Sequence, residues 1–204
     1  MPISTTMVST PTEFFTRVAV AAARLESELS QAMSQTRLAH VRRVERYAVW
    51  LAGRFGEEPE RARLAALGHD LAREWPEEQI RSVALTDGLP VSQLEREVPR
   101  ILHGRAAAVR LFYHFQVCDP EILAAVRNHT LGAPGMSRLE KIIYCADYLE
   151  PGRPYIEPAF RRYVEELELD AMICASVEHN NRRGHSPAPR TSAMYRELCG
   201  EVGL

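Results

Sequence analysis

The sequence is nearly without lysine. Of its 25 basic residues Lys141 is the one lysine and the others are arginine. A bias across a whole chain follows genome composition more readily than function, although arginine does hold phosphate bidentately where lysine cannot. Neither sign of charge is in excess: a net charge of -2 over 204 residues gives no basic field of the kind long nucleic acid needs. No apolar run approaches the roughly 18–20 residues that span a bilayer, so no membrane partner is expected. The opening "MPISTTMVSTP" lacks the basic start and apolar centre of a signal peptide and is expected to fray. The cysteines, Cys118, Cys145, Cys174 and Cys199, are widely spaced without a C-x-x-C. They imply neither a zinc knuckle nor a disulfide framework, and are expected as free, buried or half-buried thiols in a reducing cytoplasm. There is no G-x-S-x-G. There is no P-loop either, because "LGAPGM" lacks the Gly-Lys-Ser/Thr ending and follows no strand. Alternation of period two with β-branched residues is missing throughout.

What is present reads as helix. Hydrophobic residues at 46% and charged residues at 25% suit one globular domain with a proper core. Residues 14–33 have helix composition. Val41, Val44, Ala48, Leu51 and Phe55 then fall at helical spacing, and Gly53 and Gly56 loosen the end. Pro59 suits the first turn of a helix through Arg73. A short helix is expected after Pro76, then a turn at "DGLP", then a helix opened by Ser92 with Glu95 as a capping box. Further helices are expected at about 103–116, from Pro120 with Asp119 as N-cap to about His129, and from Ser137 with Glu140 as a second capping box to Leu149. Beyond the break at "EPGRP" come helices near 158–168 and 170–182 and a last short one. The fold expected is all-α, a helical bundle.

Several histidines and carboxylates fall on these helices in a pattern. "LGHDLAR" sets His69 beside Asp70 in an apolar stretch; His40 lies on the preceding helix, His103 at a helix start and His129 at a helix end. Asp147 follows Leu139, Ile143 and Ala146 at helical spacing and should face inward, where a carboxylate is costly unless paired or bound to metal. Any one such histidine is more commonly a hydrogen-bonded core residue, and Asp147 could pair with an arginine. Together they need too many separate explanations, and imidazole with carboxylate is the ligand set of a borderline divalent metal. His114, His179 and His185 do not fit the pattern: the first reads as a helix-face residue, the others as lying in or near the C-terminal loop. Trp50, Tyr47 and Tyr144 could stack on a base, but their spacing favours core packing.

The order His40, His69-Asp70, Asp147 resembles the HD-domain superfamily of metal-dependent phosphohydrolases, and His103 with His129 resembles its two-metal subset. "RLAHVRRVERYAVWLA", "AALGHDLAREWP", "ILHGRAAA", "NHTLGAPGMSRLEKIIYCADYLEPGR" and "MYRELC" together resemble the YqeK family, over about residues 36–199. Arg73 stands where that family commonly has Lys. The resemblance divides the chain into a tail and extension helix (1–35), a phosphohydrolase domain (36–199) and a short tail (200–204), an HD-domain helical bundle at its centre.

What the resemblance implies is specific. Members are bacterial hydrolases that split dinucleoside tetraphosphates symmetrically, diadenosine tetraphosphate and water giving two ADP. One metal would be held by His40, His69, Asp70 and Asp147, and a second by Asp70 as a bridge with His103 and His129; iron is favoured, with Mn, Co, Ni or Zn also suited to mixed N/O ligands. Two ions about 3.5–4 Å apart can share a hydroxide and clamp the phosphate under attack. His69 and Asp70 would be the catalytic pair. Substrate would meet His40, His103, His129 and Thr130, with Arg153 and Arg73 as phosphate clamps. A homodimer in the cytoplasm is implied. Two other readings fit the same residues: another HD phosphohydrolase acting on nucleotides, and a metal-bearing nucleotide-binding module without turnover.

Overall fold

Helix punctuation sets the architecture. The computed structural model describes residues 10–200, so the expected fraying of the first residues and the end of the C-terminal tail lie outside the described residues. Helix α1 (Pro11–Ala32) opens on a Thr10–Glu13 capping box. Helix α2 (Gln35–Phe55) is capped by Ser34 and stopped at Gly56, whose φ of 69° is the left-handed conformation that glycine takes without strain. Then follow α3 (Pro59–Gly68), α4 (Glu77–Ala84) and α5 (Gln93–Glu97), the last with the Ser92–Glu95 capping box in place. A short 3-10 turn leads into α6 (His103–Phe115). Helix α7 (Pro120–Asn128) starts at the Asp119 cap, and α8 (Arg138–Leu149) at the Ser137–Glu140 box. The chain finishes through α9 (Pro158–Glu165), α10 (Leu169–Arg182) and α11 (Pro189–Cys199). Among the described residues there is no strand, and no helix is long and apolar enough to cross a membrane.

Helices α2, α3, α7 and α8 pack against one another at the centre, with α6 on α7 and α10 on α8. Val41, Val44, Ala48 and Leu51 of α2 are fully buried, as are Leu64 and Leu67 of α3 and Ile142 and Ile143 of α8. Alanine is common where helices approach most closely: Ala62, Ala65 and Ala66 on α3, Ala106 and Ala107 on α6. Side chains that small let backbones come near, which is what allows six polar residues from five places in the chain to meet. Helix α1 is no loose appendage. It packs on α3 and α6 and buries Ala22, Leu25 and Leu29 completely.

Three expectations need correction. The helix through Arg73 stops at Gly68, and residues beyond it turn through i-to-i+3 bonds, Leu71 to Gly68 and Arg73 to Asp70. The cause is local: the Ala66 carbonyl, which would accept from the Asp70 N–H in a continuing helix, lies 2.6 Å from His69 Nδ1. Second, the cysteines are not all free. Cys174 of α10 and Cys199 of α11 form a disulfide, their Cα atoms 6.1 Å apart, because two helices that pack side by side bring together residues 25 apart in sequence. Cys118 is free and exposed, Cys145 free and buried. Third, Tyr47 and Tyr144 are buried as expected, but Trp50 is 46% exposed. His179 lies in the last turn of α10, stacked on Phe160, next to the loop that holds His185, as expected.

Candidate metal centre

Each histidine of the pattern sits where a helix begins or ends, or faces another end. His69 follows α3, His129 follows α7, and His103 opens α6. All three use one device: Nδ1 lies on the carbonyl three residues back, Ala66, Val126 and Arg100, at 2.6, 2.8 and 2.8 Å. His40, inside α2, sets its Nδ1 3.1 Å from Glu150 Oε1 instead. Every one of these Nδ1 atoms is therefore the N–H donor, which leaves each Nε2 as a lone pair aimed at the same place.

The Nε2 atoms crowd there. Those of His40 and His69 are 3.2 Å apart, and those of His103 and His129 are 3.0 Å apart. Asp70 divides its two oxygens between the pairs. Oδ2 is 3.5 Å from Nε2 of both His40 and His69, while Oδ1 is 3.2 Å from His103 Nε2 and 3.9 Å from His129 Nε2. Asp147 Oδ1 stands 3.1 Å from His40 Nε2 and 3.8 Å from His69 Nε2. The ligand atoms of His40, His69 and Asp147 lie within 4.8 Å of one another, and so do those of His69, Asp70 and His129.

Lone pairs facing each other at 3.0–3.2 Å repel unless a cation lies among them, and the site's electrostatics ask for one. Burial opposes ionising Asp70, but His69 and His103 outweigh it and hold the carboxyl well below the usual carboxylate range. Burial likewise opposes Asp147, and His40 and Arg153 hold it low. Burial pushes His129 down to about 3, with His103 and His69 adding to it, so this ring is a neutral ligand at any ordinary pH. His69 is pulled the other way: burial lowers it, but Asp70 and Asp147 win and raise it. A raised histidine among buried carboxylates is the mark of a negative centre. The donor set, four imidazole nitrogens and two carboxylates, fits divalent transition metals. The Nδ1 partners supply the outer support that orients a ligating histidine, including one carboxylate, Glu150.

All six expected ligand positions are thus brought together, from α2, the end of α3, α6, the end of α7 and α8. Asp147 is less buried than its helical position suggests, and its partner is Arg153, which reaches both its carbonyl and its carboxylate. Thr130 Oγ1 is 3.1 Å from His129 Nε2 and 3.5 Å from His103 Nε2, at the edge of the centre. Arg73 is the exception. It gives its backbone N–H to Asp70 and makes no side-chain hydrogen bond among the described residues. The arginine at the centre is Arg37, Nη1 on Asp70 Oδ2 at 2.7 Å, while its buried Nε has no partner.

Sequence reasoning missed Arg37, Arg43 and Glu150. Glu150 is fully buried, supports His40, and is gripped by Arg43 Nε at 2.6 Å and by the Gly152 N–H. Burial opposes its charge, yet His40, Arg43 and that N–H bring its carboxyl down to about 2. A signal did exist: Arg37 precedes His40 by three residues and Glu150 follows Asp147 by three, which on a helix is the same face.

A helical bundle that gathers a buried His-Asp pair with three histidines and a further aspartate from four other segments is the architecture of a class. The chain belongs to the HD-domain family, whose model matches residues 37–152. It is a hydrolase of the YqeK type within it. It is 33% identical over 151 residues to the symmetrical bis(5'-nucleosyl)-tetraphosphatase of Bacillus subtilis, covering 74% of this chain and 81% of that one. It is 29% identical to the protein of the same name from Halalkalibacterium halodurans, over 83% of this chain and 92% of that one. A crystal structure of an HD superfamily hydrolase from Clostridium acetobutylicum, described as involved in NAD metabolism, superposes with a TM-score of 0.77 at 30% identity, over 86% of this chain and 95% of that one.

Proposed function

We propose that the protein hydrolyses dinucleoside tetraphosphates symmetrically: water adds at an inner phosphorus, the central phosphoanhydride P–O bond breaks, and two nucleoside diphosphates leave. The observation that carries this reading is the division of Asp70, one oxygen toward His40 and His69 and the other toward His103 and His129. That is the shape of a carboxylate shared by two ions. His40, His69, Asp70 and Asp147 would hold one ion, and Asp70, His103 and His129 the other. Such ions lower the pKa of water and neutralise phosphoryl charge.

The protein's own groups do the rest. Asp70 and His69 occupy the middle of the centre, where a carboxylate oxygen can accept the proton of the attacking water. Thr130 Oγ1 can donate to a phosphoryl oxygen, and His40, His103 and His129 border the same space. Arg153 can turn from Asp147 to a phosphate when that carboxylate takes a metal. Arg37, with an unused buried Nε and its Nη1 on Asp70, is a phosphate contact to add to Arg153 and Arg73. Relatives named as symmetrical tetraphosphatases support the substrate, and the mixed N/O ligands suit iron. The same reading carries residues 36–199 as the catalytic unit, a homodimer, and a cytoplasmic setting in a bacterium.

Protein loaded with iron or manganese should convert diadenosine tetraphosphate to ADP alone. AMP with ATP as products would overturn the symmetry of the cut. No cleavage, set against rapid turnover of another nucleotide, would move the protein to a different HD phosphohydrolase activity; no turnover of any nucleotide would leave a binding module.

A further inference from the structure

The HD family match ends at residue 152, but the chain continues through three more helices. The last of them, α11, lies along the segment that carries His129 and Thr130 and holds it at four points. Arg190 Nη2 donates to Asn128 Oδ1 at 2.7 Å, and Thr191 Oγ1 donates to the Leu131 carbonyl at 2.8 Å. Met194, fully buried, covers Gly132, where a Cβ would run into its sulfur. Glu197 Oε1 accepts the Gly135 N–H at 2.9 Å. These four side chains share one face of the helix. We infer that α11 is the positioning element of the His129 side of the centre: through Arg190 and Thr191, its positioning residues, it fixes where His129 Nε2 and Thr130 Oγ1 point, and so governs the second ion and not the first. The inference rests on the reading of the centre as a two-metal site.

His129 needs such support more than the other ligands do. His40 lies within α2 and Asp147 within α8, where the helical hydrogen bonds on both sides fix the backbone. His129 lies past the last residue of α7, its ring steadied by the Val126 carbonyl at Nδ1. Asn128 is the pivot just before it. Its Oδ1 takes the Arg190 donor and its Nδ2 donates to Glu140 Oε1 at 2.6 Å, so this buried amide is tied at once to α11 and to the capping box of α8. Thr191 ties the backbone again at Leu131, one residue after Thr130. Neither Arg190 nor Thr191 hydrogen-bonds to any of the six ligand residues among the described residues, so both act through the segment between them. Helix α11 is itself anchored. Tyr195 Oη donates to Glu178 Oε1 at 2.8 Å, and the Cys174–Cys199 disulfide ties α11 to α10, which packs on α8, the helix of Asp147. The helix therefore brackets the centre, with the His129 segment on one side and the Asp147 helix reached through α10 on the other. Partners one step removed from a ligand, when lost, cost about 10–100-fold in metal affinity.

The test is a manganese titration of metal-free, full-length protein by calorimetry, which reads both ions without a substrate. Wild type should take up two ions per chain, and His129→Ala marks which binding step belongs to the second. Thr191→Val keeps the side-chain volume and removes the donor; Arg190→Ala removes the tether on Asn128. Each should weaken the step marked by His129→Ala about ten-fold or more and the other step less than about two-fold. Thr191→Ser, which keeps the hydroxyl, should restore the wild-type titration. If Thr191→Val fails to fold by circular dichroism, Arg190→Ala, in the first turn of α11, decides alone. Unchanged binding of both ions in the folded variants, or equal weakening of both, would overturn the positioning role. Fewer than two ions in wild type would overturn the two-metal centre and the inference with it. If the expected metal pattern appears but diadenosine tetraphosphate is left intact, the proposed reaction falls and the positioning role stands. If the dinucleotide is cleaved and the variants bind both ions normally, the reverse holds.

Discussion

Asp70 meets His103 through Oδ1, at 3.2 Å from Nε2, and keeps its other oxygen for His69, at 3.5 Å. One side chain therefore joins the two halves of the centre. Asp70→Ala should lose bound metal and lower kcat/KM by about a thousand-fold or more. Far-ultraviolet circular dichroism should stay that of the wild type, since Asp70 lies in the turn beyond α3 and not within a helix. Elemental analysis and a rate measurement check this together, and a variant with full metal and full turnover refutes the shared carboxylate.

Gly104 holds the distance between His103 and His129. A Cβ there would stand 2.9 Å from the Val126 carbonyl oxygen, 3.0 Å from that of Arg127 and 3.2 Å from His129 Cε1. Two of these are backbone atoms and cannot turn aside, so α6 must move away from α7. Gly104→Ala should cost about 10–100-fold in kcat, because displacement well under an ångström is felt at a reacting centre. Kinetics beside chemical denaturation separate the effects: activity should fall far more than stability.

Glu150 gives the metal-free protein an acid-sensitive component. Its carboxyl lies at about 2 in the folded chain against 4.5 when unperturbed, because His40, Arg43 and the Gly152 N–H outweigh burial. A depressed carboxylate contributes stability that is complete above the unfolded value and is lost as pH falls through the folded one. Wild type should therefore lose this part between about pH 4.5 and pH 2. Glu150→Gln should be less stable at pH 7 and show a smaller fall over that window. Urea midpoints at pH 7 and pH 3 are the measurement, and equal falls in both proteins would remove Glu150 from the account.

Leu25 and Leu29 make α1 part of the core. Both are fully buried against the bundle, although they lie before the matched family segment. Leu25→Ala should cost about 2–5 kcal/mol of unfolding free energy. A urea titration with unchanged slope would show it, whereas a loss near zero would mean that α1 detaches without consequence.

The disulfide predicts a thiol count. Alkylation of denatured, unreduced protein should modify Cys118 and Cys145 and leave Cys174 and Cys199 untouched until a reductant is added. Four modified cysteines without reductant would show a reduced chain.

Much of the candidate centre was legible because its parts sit on strongly punctuated helices. The Ser92–Glu95 and Ser137–Glu140 boxes and the Asp119-Pro120 start are local signals, settled by hydrogen bonds within one turn, and all three appear as read. The end of α3 was misread because it depends on a side chain: His69 takes the carbonyl that would have continued the helix. Arg73 consequently lies in the turn beyond α3 and not on the helix itself. Arg37 and Glu150 were missed because their importance lies in which distant residue they touch.

The sequence by itself determined the all-α class, the helix order and the six side chains able to bind metal, since periodicity, caps and residue chemistry act over a few residues. Only the tertiary structure decided that Asp70 faces both histidine pairs and that Glu150 supports His40. The same holds for the Cys174–Cys199 disulfide and for the hold of α11 on the segment that carries His129. These are contacts between segments far apart in the chain, fixed by how the helices pack, and no local pattern encodes them.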